Sequence, residues 1–234
     1  MGWIEHDHAS SDALVAHLVE VLVDACQHAN GAHQRAWLAL AGGRTPLPIY
    51  AALARRLPDA SMTVVPTDER CVPHVHPACN AAALKAAFAS HPGIVVNPLT
   101  REDGDEHASL AQSRTMLALN AQPFDAVLLG MGTDGHVASL FPGAANLDEG
   151  MSRDSGIDAI ATVPDPLPPE APFPRISLTL PRLLRARAVH LVVTGDAKRH
   201  LLRTVQQHDA GPSPYPVAAL LHSRDHRVQI HWSP

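Results

Sequence analysis

Three short apolar runs in this chain each stop at glycine, and each is followed by a helix-forming segment. Residues 36–41 (AWLALA) run into Gly42-Gly43-Arg44-Thr45-Pro46, residues 126–129 (AVLL) into Gly130-Met131-Gly132-Thr133-Asp134-Gly135-His136, and residues 189–194 (VHLVVT) into Gly195-Asp196-Ala197-Lys198. A continuous apolar run of this length, bounded by turn residues, reads as a strand buried on both faces. Such strands alternating with helices pair in parallel through right-handed crossovers.

The rest of the chain keeps the alternation. Ser10 or Ser11 caps a first helix whose Leu14, Leu18 and Leu22 fall on one stripe. Further strands are predicted at 62–65, 94–97, 157–163 and 175–179, with an edge strand at 228–232. Helices are predicted from Pro46 to about Arg56, over 80–88, 107–119 and 180–185, from Gly195 to about Gln207, and over 217–221. The proline-rich segment 163–174 reads as an ordered surface connection, and 211–216 as a turn. The fold class is α/β: a Rossmann-like, mainly parallel sheet with helices on both faces, with room for a small β-containing lobe. No internal repeat or low-complexity segment divides it, so 1–234 is read as a single domain.

The net charge of −5 gives no general attraction to nucleic acid or to an anionic membrane, so any basic site is local. No run approaches the ~18 apolar residues of a membrane span, and no signal peptide is expected at the N-terminus. Three cysteines, Cys26, Cys71 and Cys79, cannot all pair within the chain and suit a reducing cytoplasm. Sixteen histidines invite a metal. The close pairs, His6-x-His8 and His74-x-His76, have no clustered third ligand along the sequence, so neither a metal site nor a cofactor is expected.

The glycine turns carry the chemistry. Gly42-Gly43 followed by a helix start is a recipe for an anion site, since free N–H groups and the helix dipole favour negative charge. Arg44 adds a bidentate grip on phosphate. Thr45 is read as the N-cap, with Pro46 at the first helical position. The charges Asp68, Glu69 and Arg70 stand where a strand ends, the side on which parallel sheets bind ligands. His136 is placed in the first turn of a short helix ended by Pro142-Gly143. A helix N-terminus disfavours imidazolium and so favours the neutral form that a general base needs. Lys198 sits in another first turn, where a cation is disfavoured unless an anion lies nearby.

Together these segments resemble the 6-phosphogluconolactonases over nearly the whole chain and in the family's order. Residues 41–46 look like its Gly-Gly-Ser/Arg-Thr-Pro phosphate turn, 67–73 like its Asp-Glu-Arg-x-Val-Pro block with Asn80 after it, and 130–143 like its Asp-Gly-His signature; 175–180 and 195–198 match two later blocks. Val137 replaces a usual threonine, Cys79 a common serine and Ser177 another threonine. The related glucosamine-6-phosphate deaminases follow the histidine with Ile-Ala-Phe-Asn-Glu-Pro-Gly; residues 137–143 here read VASLFPG, without the acid.

The resemblance implies hydrolysis of 6-phospho-D-glucono-1,5-lactone to 6-phosphogluconate, in the oxidative pentose phosphate pathway, without a metal. His136 would be the general base, with Asp134 either orienting the imidazole or binding a sugar hydroxyl. Gly42, Gly43, Arg44, Thr45 and Lys198 would hold phosphate, Asp68 substrate hydroxyls, and Arg70 either the phosphate or the developing oxyanion. The partner is then a small sugar phosphate, with no nucleic acid or membrane, and a monomer is favoured. A deaminase and a non-catalytic sugar-phosphate sensor are the alternatives.

Overall fold

The structure is a computed structural model that describes residues 2–33, 35–57, 61–168, 171–207, 213–223 and 227–234. In chain order its elements are β1 (Trp3–Asp7), α1 (Ser11–His33), β2 (Ala36–Leu40), α2 (Leu47–Arg56), β3 (Met62–Pro66), β4 (Asp68–Arg70), α3 (Asn80–Ala87), β5 (Ile94–Val96), α4 (Glu106–Leu119), β6 (Ala126–Gly130), α5 (Leu147–Met151), β7 (Ala159–Thr162), β8 (Arg175–Leu178), α6 (Leu180–Leu184), β9 (Val189–Thr194), α7 (Asp196–Gln207), α8 (Pro216–Leu221) and β10 (Val228–Ser233).

Seven strands form a parallel sheet in the order β1-β10-β9-β6-β2-β3-β5. A second sheet, β4-β8-β7, is antiparallel and supplies the small β lobe. Side chains alternate along each buried strand. Leu38 and Leu40 of β2 face a core shared with Leu14, Leu18 and Leu22 of α1 and Leu53 of α2. Trp37 and Ala39 face the opposite core, with Leu117 of α4, Leu202 of α7 and Leu220 of α8. Ile160, Ile176 and Leu178 of the second sheet belong to that same core. Both faces are therefore covered, which explains why the central strands are apolar without a break. Removing a fully buried leucine such as Leu18 or Leu40 costs about 2–5 kcal/mol.

The chain runs outward from β2 through β3 to β5, then returns to place β6 on the other side of β2. This reversal is a topological switch point, where the loops leaving adjacent strands part and open a crevice. Residues 41–46 and 130–136 leave β2 and β6 there, side by side; the Ala41 amide donates to the Leu128 carbonyl at 2.9 Å.

Three expectations are corrected. The strand at 228–232 is not an edge: β1 pairs with β10 in register Trp3↔Val228 and takes the edge itself. The polar sequence WIEHD of β1 hid it, because an edge strand is half solvated. No helix begins at His136. Residues 131–143 fold as turns held by bridges Met131↔Val137 and Val137↔Leu140, and Ala138 at φ 50° interrupts any helical run. Thr45 does not cap α2, whose N-cap is Pro46 without a side-chain bond. The connection at 163–174 is described except for residues 169 and 170. In the turn expected at 211–216, residues 211 and 212 lie outside the described residues.

Candidate active site

A cavity of about 270 Å³ opens at the carboxyl ends of β2, β6 and β9. Gly42, Gly43, Arg44, Thr45, Asp68, Arg70, His136 and Lys198 all line it. Asn80, Arg175 and Thr194 line it as well and had not been singled out as site residues.

On one side stands an imidazole–carboxylate pair. His136 Nδ1 lies 2.6 Å from Asp134 Oδ1, and the His136 amide donates to the same oxygen at 3.2 Å. The carboxylate accepts from Nδ1–H, so the lone pair of the tautomer sits on Nε2. Burial pushes the Asp134 carboxyl up. The hydrogen bond and charge of His136, with backbone N–H donors, outweigh burial and hold it below its ordinary value. His136 stands in a turn, so its surroundings rather than a helix dipole act on the ring. The Phe141 ring, 4.4 Å from the imidazole by centroids, forms part of those surroundings. Gly132 makes the pair possible: a Cβ there would stand 2.2 Å from His136 Nδ1 and 2.5 Å from Asp134 Oδ1.

Across the cavity, Gly42 and Gly43 follow β2, with Gly43 at φ 88°, and Arg44 is exposed. Gly42 is required for close approach, because a Cβ would lie 2.1 Å from the Asn80 side chain. Lys198, in the first turn of α7, is half-buried; burial lowers its pKa and the Asp134 charge partly restores it. Two cations and a glycine turn thus face one space, a setting for a dianion.

Between the two sides lies a buried polar bed. Glu69 accepts backbone N–H bonds from Arg70 (2.8 Å), Asn80 (2.8 Å) and Ala81 (2.6 Å). Burial pushes its carboxyl up against those three donors. Arg70 Nη1 donates to Ala78 O (2.7 Å) and Asn80 Oδ1 (3.0 Å), which sets the guanidinium at the cavity wall. Asp68 Oδ2 accepts from Ser139 Oγ at 2.5 Å and lies 3.9 Å from Arg175 Nη1. Asp68 thus has a structural partner as well as a place at the wall. Arg175 is 5% exposed. The sequence marked its block but not its role, and the signal available was a charged residue opening a buried strand.

Two of the three replacements in the motifs accept backbone hydrogen bonds, and the third is apolar and buried. Cys79 caps α3 through Sγ, accepting from the Ala82 amide at 3.4 Å. Ser177 Oγ accepts from the Ser139 amide at 3.1 Å. Val137 is fully buried.

The histidines are placed otherwise than the sequence suggested. His8 does find further imidazoles: His17 of α1 and His231 of β10 bring ring nitrogens within 4.8 Å of it and of each other. None of these three lines the cavity at the switch point.

The family of glucosamine-6-phosphate isomerases and 6-phosphogluconolactonase matches residues 9–232. A 6-phosphogluconolactonase of Caulobacter vibrioides is 39% identical over 225 residues, 91% of this chain and 90% of its own length. That of Pseudomonas putida is 32% identical over 98% of this chain and 92% of its own. The crystal structure of a 6-phosphogluconolactonase from Shewanella baltica superposes with a TM-score of 0.88 at 25% identity, covering 99% of this chain and 98% of that one. A monomeric glucosamine-6-phosphate deaminase shares the fold, with a TM-score of 0.77 at 19% identity over 98% of this chain and 96% of its own. With the family matched over nearly its whole length and relatives above 30% identity across it, the chain belongs to the glucosamine-6-phosphate isomerase/6-phosphogluconolactonase family.

Proposed function

We propose that this protein hydrolyses 6-phospho-D-glucono-1,5-lactone to 6-phosphogluconate, the lactone-opening step of the oxidative pentose phosphate pathway. The observation that carries the reading is the His136–Asp134 pair at 2.6 Å facing a cavity rimmed by Gly42, Gly43, Arg44 and Lys198. It supports a reading with a base on one side of a sugar-sized space and an anion grip on the other.

In this reading Arg44, Lys198 and the Gly42–Gly43 amides hold the 6-phosphate. His136 Nε2 takes a proton from water as the oxygen attacks C1. Arg70 and Arg175 lie at the wall to stabilise the oxyanion that forms. The tetrahedral intermediate collapses with loss of the ring oxygen, which receives the proton from the imidazolium, and the product carboxylic acid ionises. Base and acid are one residue, and such catalysis contributes about 10²–10⁴-fold. A lactone carbonyl is electrophilic enough that the step calls for neither a metal nor an acyl-enzyme. Asp134 acts by fixing the tautomer and plane of the ring.

The acid composition of the site favours the lactonase over the deaminase. Among the described residues lining the cavity, Asp68 is the carboxylate, and its Oδ2 is engaged by Ser139. No helix of the described residues is long and apolar enough to cross a membrane. The cysteines are free, and burial pushes the thiols up, to about 12 at Cys26 and Cys71 and about 11 at Cys79, in keeping with a cytoplasmic enzyme.

The test is lactone hydrolysis with substrate generated in situ from glucose 6-phosphate and corrected for spontaneous opening. Rapid loss that collapses in His136→Ala, with no ammonia released from glucosamine 6-phosphate, is the expected result. Ammonia release would make the protein a deaminase; binding of sugar phosphate without either activity would make it a sensor.

A further inference from the structure

Away from the cavity, the seam where β1, β10 and α1 meet is crowded with imidazoles. His6 and His231 are register partners on adjacent strands and stack at 4.8 Å and 8°. His8, two residues on, falls on the same face of the strand. Its amide still bonds the Trp232 carbonyl at 2.8 Å, which continues the ladder. His17 comes down from α1, its ring 5.0 Å from His8 and 5.3 Å from His231.

Three of these rings are disposed as ligands. His8, His17 and His231 each present a nitrogen within 4.8 Å of the other two. His231 is fully buried, and its Nδ1 has no hydrogen-bond partner among the described residues; the buried Nε2 of His8 has none either. A buried, unpaired ring nitrogen costs free energy unless something fills it, and two of the three clustered rings carry one. His231 Nε2 lies 3.1 Å from His190 Nδ1. A cation on Nδ1 of His231 would fix the proton on Nε2 and direct it to His190, the outer-shell bond that ligating histidines commonly have. His6 is held aside by Gln229, its Nε2 2.8 Å from Oε1. A cavity of about 560 Å³ between α1 and the sheet, lined by His6, His17, His190 and His231, gives access.

We propose that His8, His17 and His231 form a binding site for a divalent transition-metal ion, separate from the catalytic cavity. Three imidazoles without a carboxylate select Zn²⁺, Co²⁺, Ni²⁺ or Cu²⁺ over Mg²⁺ or Ca²⁺. A tetrahedral ion with bonds of about 2.0–2.1 Å needs nitrogens about 3.3 Å apart. The rings therefore close by up to about 1.5 Å, a motion open to the partly exposed His8 and His17. Water completes the fourth position. Burial, with the neighbouring imidazoles, also holds His8 and His17 below the ordinary histidine range and His231 at about 2, so the rings stay in the neutral form that ligates. The ligands come from β1, α1 and β10, so the ion would tie residues 8 and 17 to residue 231.

The experiment uses untagged full-length protein, stripped with chelator and titrated with Co²⁺ and with Zn²⁺. The expected result is one equivalent bound, a Co²⁺ absorption spectrum of tetrahedral type, and a Tm raised by about 5–10 °C at a hundredfold excess over Kd. His17→Ala and His8→Ala, both at half-exposed positions, should each lose the spectrum and the Tm rise while keeping lactone hydrolysis. Saturable binding that survives both substitutions, or no binding at tens of micromolar ion, overturns the proposal. Neither result depends on what the catalytic cavity does.

Discussion

The Nδ1 of His136 and the Oδ1 of Asp134, two residues apart in sequence, stand 2.6 Å apart across a turn rather than a helix. A carboxylate can only accept, so it dictates which ring nitrogen carries the proton. Asp134→Asn can present its amide N–H to Nδ1 and stabilise the wrong tautomer. Steady-state kinetics should show kcat lower by roughly 10²-fold with KM little changed. The folded-state pKa of Asp134 is depressed from about 3.8. Its contribution to stability is therefore present above that pH and lost as pH falls through the folded value. The Tm gap between wild type and Asp134→Asn should shrink below about pH 4; a constant gap would contradict the pairing.

Gly132 lies under that pair without touching the reaction. Gly132→Ala places a methyl where His136 Nδ1 and Asp134 Oδ1 now sit, at 2.2 and 2.5 Å. Kcat should drop at least about tenfold through misplacement of the base, with circular dichroism unchanged. Full activity would mean that the catalytic ring occupies another position.

Lys198 carries a conflict between stability and binding. Burial lowers its pKa from the ordinary 10.5, so the unfolded chain holds the proton more tightly. Stability is diminished at neutral pH and regained as pH rises toward 10.5. Lys198→Met should raise the Tm at pH 7 by a few degrees, with the advantage narrowing by pH 10.5. The same change should raise KM roughly 10–100-fold, the loss of a charged hydrogen bond to phosphate. A KM that stays put would remove Lys198 from the phosphate grip.

Glu69 acts at a distance from substrate. Its two oxygens accept from three backbone amides that place Arg70 and Asn80. Glu69→Gln keeps the shape but turns an NH₂ toward at least one N–H. Denaturant unfolding should show a loss of about 1–3 kcal/mol, with kcat lowered because Arg70 is displaced.

Much of this site could be read from residue order alone. Gly42-Gly43-Arg44 and Gly130–His136 follow apolar runs too short to be anything but strands, and parallel pairing then sends both turns to one end of the sheet. What the sequence withheld has physical reasons. The edge strand β1 carries no fully buried residue, so neither an apolar run nor a clean alternation marks it. The turn at His136 resembles a helix start until a fully buried Val137 and the positive φ of Ala138 divert it. Arg175 and Asn80 reach the cavity from the second sheet and from α3, a meeting that only tertiary contact creates. The gathering of His8, His17 and His231 spans more than two hundred positions and leaves no local spacing to detect.

The seam between β1 and β10 also bears on how the molecule is made. Trp3 pairs with Val228, and among the described residues β1 has no other strand beside it in the sheet. In chain order β1 comes long before its mate, so joining the two closes a loop of more than two hundred residues. Pulse-labelled hydrogen exchange during refolding is expected to protect the amides of β2 and β6 before those of β1. Once made, β1 waits for a partner more than two hundred residues further along, and until the two meet that edge of the sheet is open to any competing strand.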